Sequence, residues 1–90
     1  MILVYALRPD VLMTETEYGV ALLDQKSAEY WTLNPTAALI LRTLLDGRAR
    51  GAERAIEALT MQYDDIDADE AAKDVDTIVG ELRSAGLLTT

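Results

Sequence analysis

The chain has no cysteine, no histidine and no phenylalanine, and only two prolines. Without cysteine there is no disulfide framework and no thiolate nucleophile. Without histidine as well, nearly every zinc, haem and iron–sulfur site is excluded. The same absence removes the commonest general base and any Ser-His-Asp arrangement. No stretch approaches the roughly 20 apolar residues of a membrane span. Met1-Ile2-Leu3-Val4 lacks the basic n-region and cleavage site of a signal peptide. Basic residues are scarce too, eight against sixteen acidic, for a net charge of −8. Such a field repels a phosphate backbone and speeds encounter with a basic polypeptide. The expectation is a cytoplasmic, non-catalytic protein without cofactor or metal, whose partners do not include nucleic acid or membrane.

What is present fits one small globular domain over residues 1–90, since half the residues are hydrophobic and 27% charged. The pattern changes character at Asn34: before it apolar residues come in strand-like bursts, after it at helical spacing. Ile2 to Leu7 is an apolar N-terminal extension and a possible strand, stopped by Arg8-Pro9-Asp10. Val11 to Glu17 alternates, with Val11, Met13, Glu15 and Glu17 on one face and Leu12, Thr14 and Thr16 on the other. Tyr18-Gly19 supplies a turn and Val20 to Asp24 the return strand. After the polar Gln25-Lys26-Ser27, a third meander strand is predicted over Glu29 to Leu33.

Asn34-Pro35 reads as a helix start, because Asn caps free N–H groups and Pro at the first position has none to leave unpaired. Asp46-Gly47 stops that helix. A second is predicted over Ala52 to Tyr63, burying Ala55, Ile56 and Leu59. Asp67-Ala68-Asp69-Glu70 resembles a capping box and opens a third, with Ala71, Val75, Ile78, Leu82 and Ala85 as its apolar stripe. Gly86 closes it, and Leu87 and Leu88 fold back onto the last turn. The predicted class is α+β, winged-helix-like: a three-stranded antiparallel β-meander followed by three α-helices.

Several motifs fail on inspection. Asp65-x-Asp67-x-Asp69 has the spacing of half a calcium loop, but Glu70 stands where glycine is needed, and the helical stripe consumes the rest. Neither Ser27 nor Ser84 sits in the Asp-Ser-Leu that an acyl carrier needs. Asp46-Gly47-Arg48-Ala49-Arg50-Gly51 lacks the spacing and the Lys-Ser/Thr of a phosphate loop. Arg48, Arg50 and Arg54 are too few to hold nucleic acid against so negative a body. Neighbouring Tyr30 and Trp31 must point to opposite faces of their strand, one into the core and one half exposed. That strand contains neither lysine nor proline, the usual guards of a sheet edge, so as an edge it could receive an extended peptide as an added strand.

Tyr30-Trp31-Thr32-Leu33-Asn34-Pro35-Thr36-Ala37-Ala38, followed by Leu44-Leu45-Asp46-Gly47, resembles the PqqD-like family over about residues 8 to 90. Arg8-Pro9-Asp10-Val11 upstream and Gly86-Leu87-Leu88 downstream keep the family's order of parts. The resemblance implies a RiPP recognition element, which binds the leader of a ribosomally made precursor peptide as a strand between the third β-strand and the third helix. Small acidic free-standing members look most like the recognition proteins of lasso-peptide pathways. Their implied partners are the precursor leader peptide, a leader peptidase and a macrolactam synthetase, and their leaders carry a Tyr-x-x-Pro motif that needs an apolar pocket. Carried onto this chain, the peptide-binding positions are Glu29, Tyr30, Trp31, Thr32 and Leu33 on the strand, with Asp69, Ala72, Val75, Asp76 and Val79 on the helix. Val75, Val79 and Leu33 would shape apolar pockets, and Asp69, Asp76 and Glu29 would meet basic leader residues. Two alternatives stay open: a PQQ-pathway peptide chaperone working with a radical-SAM enzyme, and a winged-helix DNA-binding regulator. The third helix argues against the second, since Asp69, Glu70, Asp74, Asp76 and Glu81 outnumber Lys73 and Arg83.

Overall fold

The computed structural model describes residues 4–89. Its elements are β1 (Ala6–Leu7), β2 (Val11–Thr16), β3 (Gly19–Asp24), β4 (Tyr30–Leu33), α1 (Pro35–Leu44), α2 (Gly51–Gln62), α3 (Ala68–Ser84) and β5 (Leu88–Thr89). β2, β3 and β4 form the expected antiparallel meander in that order, and three helices follow.

The helix ends are where local chemistry requires them. The Asn34 side chain accepts from the Ala37 N–H at 2.9 Å, and Pro35 follows at the first helical position. The Asp67 side chain accepts from the Glu70 N–H at 2.9 Å, so it opens α3 rather than a metal loop. At the far end Gly86 takes φ +75, its N–H bonds to the Arg83 carbonyl, and the Leu87 N–H reaches back to the Leu82 carbonyl. That pair of bonds is a Schellman closure, and the Leu82 and Leu87 side chains it brings together are both buried.

The core lies between the inner face of the sheet and the three helices. Val20 and Leu22 of β3 meet Ile40, Leu41 and Leu44 of α1, with Leu59 of α2, Val75 and Leu82 of α3 and Leu87 completing the cluster. Trp31 and Leu33 pack against it from β4, whereas Tyr30 points outward, as the alternation requires.

Within the N-terminal extension, read as a possible strand with no assigned partner, Ala6 and Leu7 form β1 and pair with Thr89 and Leu88 in a two-stranded ribbon separate from the meander. Tyr5 and Leu7 pack on the core, and a Cβ on Gly51 would come within 3.3 Å of the Tyr5 ring. Ile2 and Leu3 lie outside the described residues.

The loop between β3 and β4 ends in a β-bulge. Ala28 takes φ 62, its N–H bonds to the Asp24 carbonyl at 2.8 Å, and the Asp24 N–H bonds to the Glu29 carbonyl at 2.9 Å. This is the position that glycine normally fills. Ala28→Gly is therefore expected to stabilise the fold by about 0.5–1 kcal/mol, relief of the left-handed strain outweighing the entropy cost of glycine. The midpoint of thermal unfolding, followed by circular dichroism, should rise by about 2–8 °C; a fall would refute the strain.

An exposed ion pair ties the sheet to α1. The Arg42 guanidinium hydrogen-bonds both Glu15 carboxylate oxygens, which holds the Glu15 carboxyl below its usual range and raises Arg42. A depressed carboxylate adds stability above its unfolded pKa and loses it as pH falls through the folded value. Glu15→Gln should therefore unfold at a lower temperature than the parent at neutral pH, with the gap closing through the acid range. A gap independent of pH would show that the pair adds nothing through its charge.

Candidate functional site

The site is built on the β4 edge. In the described residues β4 has β3 on one side and no strand on the other. Which backbone groups face that open side follows from the ladder. Asp24 and Glu29 are joined by a ladder bond, and hydrogen-bonded pairs then recur at every second position. Trp31 and Leu33 therefore direct their N–H and C=O groups to Leu22 and Val20 of β3. Tyr30 and Thr32 direct theirs to the open edge. Edges are ordinarily guarded by lysine, proline or an inward charge, and Tyr-Trp-Thr-Leu has none of these.

Glycine sets the position of the strand's far end. Gly19 has φ +148 and is buried at the start of β3, where an added Cβ would stand 2.0 Å from the Leu33 carbonyl oxygen. That carbonyl cannot retreat without breaking the pairing of Val20 with Leu33.

Two hollows border this end of β4. One, of about 160 Å³, lies between the start of α1 and α3 and is lined by Asn34, Thr36, Ala37, Ile40, Asp74 and Ile78. The other, of about 650 Å³ and more apolar, lies at the hairpin tip against Tyr18, Val20, Leu33 and Pro35, rimmed by Thr16 and Thr32.

The ten residues singled out from the sequence fall into three groups. Tyr30, Trp31, Thr32 and Leu33 form β4, and Glu29 stands just before it in the bulge, exposed. Val75 and Val79, 2% and 9% exposed, belong to the core cluster, so their side chains are used in packing. Asp69 and Asp76 are exposed and Ala72 half-buried. At about 100° per residue, Ala72, Asp76 and Asp69 lie on one flank of the stripe formed by Ala71, Val75 and Leu82. Asp74 and Ile78 lie on the other flank, and these two line the hollow beside Asn34. They were absent from the expected set. Periodicity offers them as an i, i+4 pair at the stripe's border, but nothing in the sequence says which flank turns towards Asn34 and the start of α1.

The remaining charge is peripheral. Arg54 pairs with Asp46 at 2.6 Å and Arg50 with Glu53, so two of the three arginines at the α1–α2 turn have carboxylate partners. The Arg48 backbone N–H, and then the Arg54 guanidinium, hold the Asp46 carboxyl below its usual range. Among the described residues no group of three or more acidic side chains gathers as a metal site, and no helix is long and apolar enough to cross a membrane.

Residues 19–88 match the family model described as coenzyme PQQ synthesis protein D (PqqD). Among solved structures the chain is similar to a lasso peptide synthetase B1 complexed with the leader peptide. The two are 37% identical, with 96% of this chain and 98% of that one covered and a TM-score of 0.85. It is also similar to TbiB1 in complex with the TbiA(beta) leader peptide, at 21% identity, with 91% and 92% covered and a TM-score of 0.80; that likeness speaks for the fold. No curated protein matches.

Gly19→Ala tests whether the close approach positions β4. The variant should unfold at a markedly lower temperature, at a cost of about 1–3 kcal/mol. An unchanged midpoint would mean that the end of β4 is free to move.

Proposed function

We propose that this chain, which belongs to the PqqD family, is a non-catalytic recognition protein for the leader of a ribosomally made precursor peptide. The leader adds as a strand to the open β4 edge. Tyr30 and Thr32 supply the backbone donors and acceptors, while Trp31 and Leu33 sit beneath the strand's inward side chains. The observation that carries this reading is the unguarded edge, in a chain similar over nearly its whole length to a protein solved with its leader peptide.

The surroundings of the edge suit such a ligand. The apolar hollow around Tyr18, Leu33 and Pro35 fits an aromatic or proline side chain of a Tyr-x-x-Pro leader. Asp74 would face a basic leader residue across the smaller hollow. Asp69, Ala72, Val75, Asp76, Val79 and Glu29 were expected in the groove; of these, Glu29 stands nearest the strand, and Asp69 and Asp76 contribute to the negative field. That field, with seven acidic residues between Asp64 and Asp76 against Lys73, speeds the approach of a cationic peptide. The bound precursor is then delivered in the cytoplasm to a leader peptidase and a macrolactam synthetase, a lasso-peptide pathway. Likeness to a lasso synthetase component favours this pathway over the PQQ one.

A single backbone atom provides the test. The Thr32 N–H points to the open edge, so Thr32→Pro removes a donor from that edge and none from the β3 ladder, and proline is tolerated at such a position. Fluorescence anisotropy would follow labelled leaders from short reading frames beside the gene. The parent should bind one of them, and Thr32→Pro, with circular dichroism like the parent's, should bind about tenfold or more weakly. A parent that ignores every neighbouring leader and retains duplex DNA at physiological salt would overturn the reading in favour of a regulator.

A further inference from the structure

The outer face of the meander carries no charged side chain, on a protein in which 27% of residues are charged. Leu12, Thr14 and Thr16 of β2, Ala21 and Leu23 of β3, and Tyr30 and Thr32 of β4 make up that face. Within it, Leu12 is opposite Leu23 and Leu23 is opposite Tyr30, so three large side chains stand in one cross-strand row. They are 48%, 39% and 71% exposed. Scattered apolar side chains on a surface need no explanation; a contiguous row that ends at an open edge is different.

We propose that Tyr30 is a specificity-determining residue, selecting an uncharged apolar or aromatic side chain at the leader position directly beside it. The inference rests on the leader-binding reading above and goes beyond the groove, because it concerns the side chains a bound strand turns away from the helices. Alternation gives the geometry. Tyr30 carries both an open backbone pair and an outward side chain. Whichever way the added strand runs, the residue beside Tyr30 turns its side chain to the same outer face and continues the row Leu12–Leu23–Tyr30. A side chain there covers the exposed edge of the phenol ring. An ionised carboxylate at that place would lose hydration against an uncharged row and would face a body of net charge −8. The next outward position lies beside Thr32, which offers a small polar neighbour and little apolar area. The protein thus reads alternate leader residues on two faces, and the outward reading is centred on one position.

A double-mutant cycle tests this directly. A synthetic leader from the short reading frame beside the gene is scanned, each position changed in turn to Ala, Asp and Arg. Affinities are measured by anisotropy for the parent, Tyr30→Ser and Tyr30→Phe, with circular dichroism confirming the fold of each. One position should couple to Tyr30, where Ala weakens parent binding by about 1.5- to fivefold. Asp there should weaken it more, and both losses should shrink with Tyr30→Ser and persist with Tyr30→Phe. Purely additive losses at every position would overturn the inference while leaving leader binding intact. Tighter binding with Arg at the coupled position would overturn it too, identifying Tyr30 as a cation–π acceptor. Binding of no leader by the parent would remove the reading beneath it, and the inference with it.

Discussion

Burial of one helix, α1, holds the molecule together. α1 packs against α2, α3, β3 and β4, and its Ala38, Ile40, Leu41 and Leu44 are essentially inaccessible to solvent. In a 90-residue chain the apolar interior is thin, and each such leucine or isoleucine contributes about 1.5–3 kcal/mol by burial. The site inherits its geometry from this arrangement. Asn34 ends β4 and caps α1 in a single residue, so the direction of the helix and the end of the strand are set together. Asp74 and Ile78 reach the hollow beside Asn34 because α3 packs on the same helix.

Features governed by local chemistry were legible in the amino-acid order. Asn34-Pro35 and Asp67 start helices where their side chains satisfy free N–H groups, and Gly86 ends one because it takes a left-handed conformation. The alternation of Val11 to Thr16 and the opposed faces of Tyr30 and Trp31 follow from the pleat alone. Non-local features were hidden. Two residues, Ala6 and Leu7, are too few to show a period, and their partners lie at the other end of the chain. The bulge at Ala28 carries no glycine to announce it. On α3 the buried stripe could be read, but the flank that meets Asn34 and the start of α1 depends on how the helices cross. The placing of Asp74 and Ile78 beside Asn34 is therefore visible only in the folded chain.

Charge is unevenly distributed over the molecule. Acidic residues gather around the start of α3, where Asp67, Asp69 and Glu70 also suit the positive end of the helix. The outer sheet face is uncharged, and the arginines of the α1–α2 turn are largely matched by nearby carboxylates. On the proposed reading, a cationic chain would be attracted over distance by one surface and discriminated at contact by another. Screening by salt weakens the first far more than the second.

The ribbon of Ala6–Leu7 with Leu88–Thr89 bears on the order in which the chain acquires its structure. The Thr89 hydroxyl that donates to the Ala6 carbonyl belongs to a residue 83 positions away. Closing so long a loop for two residue pairs costs far more chain entropy than the pairs return, unless the intervening elements have already brought the ends together. The ribbon is therefore a product of folding rather than a nucleus for it. Residues that join after the transition state act on the unfolding rate rather than the folding rate, and the loop entropy puts this ribbon on that side of the barrier.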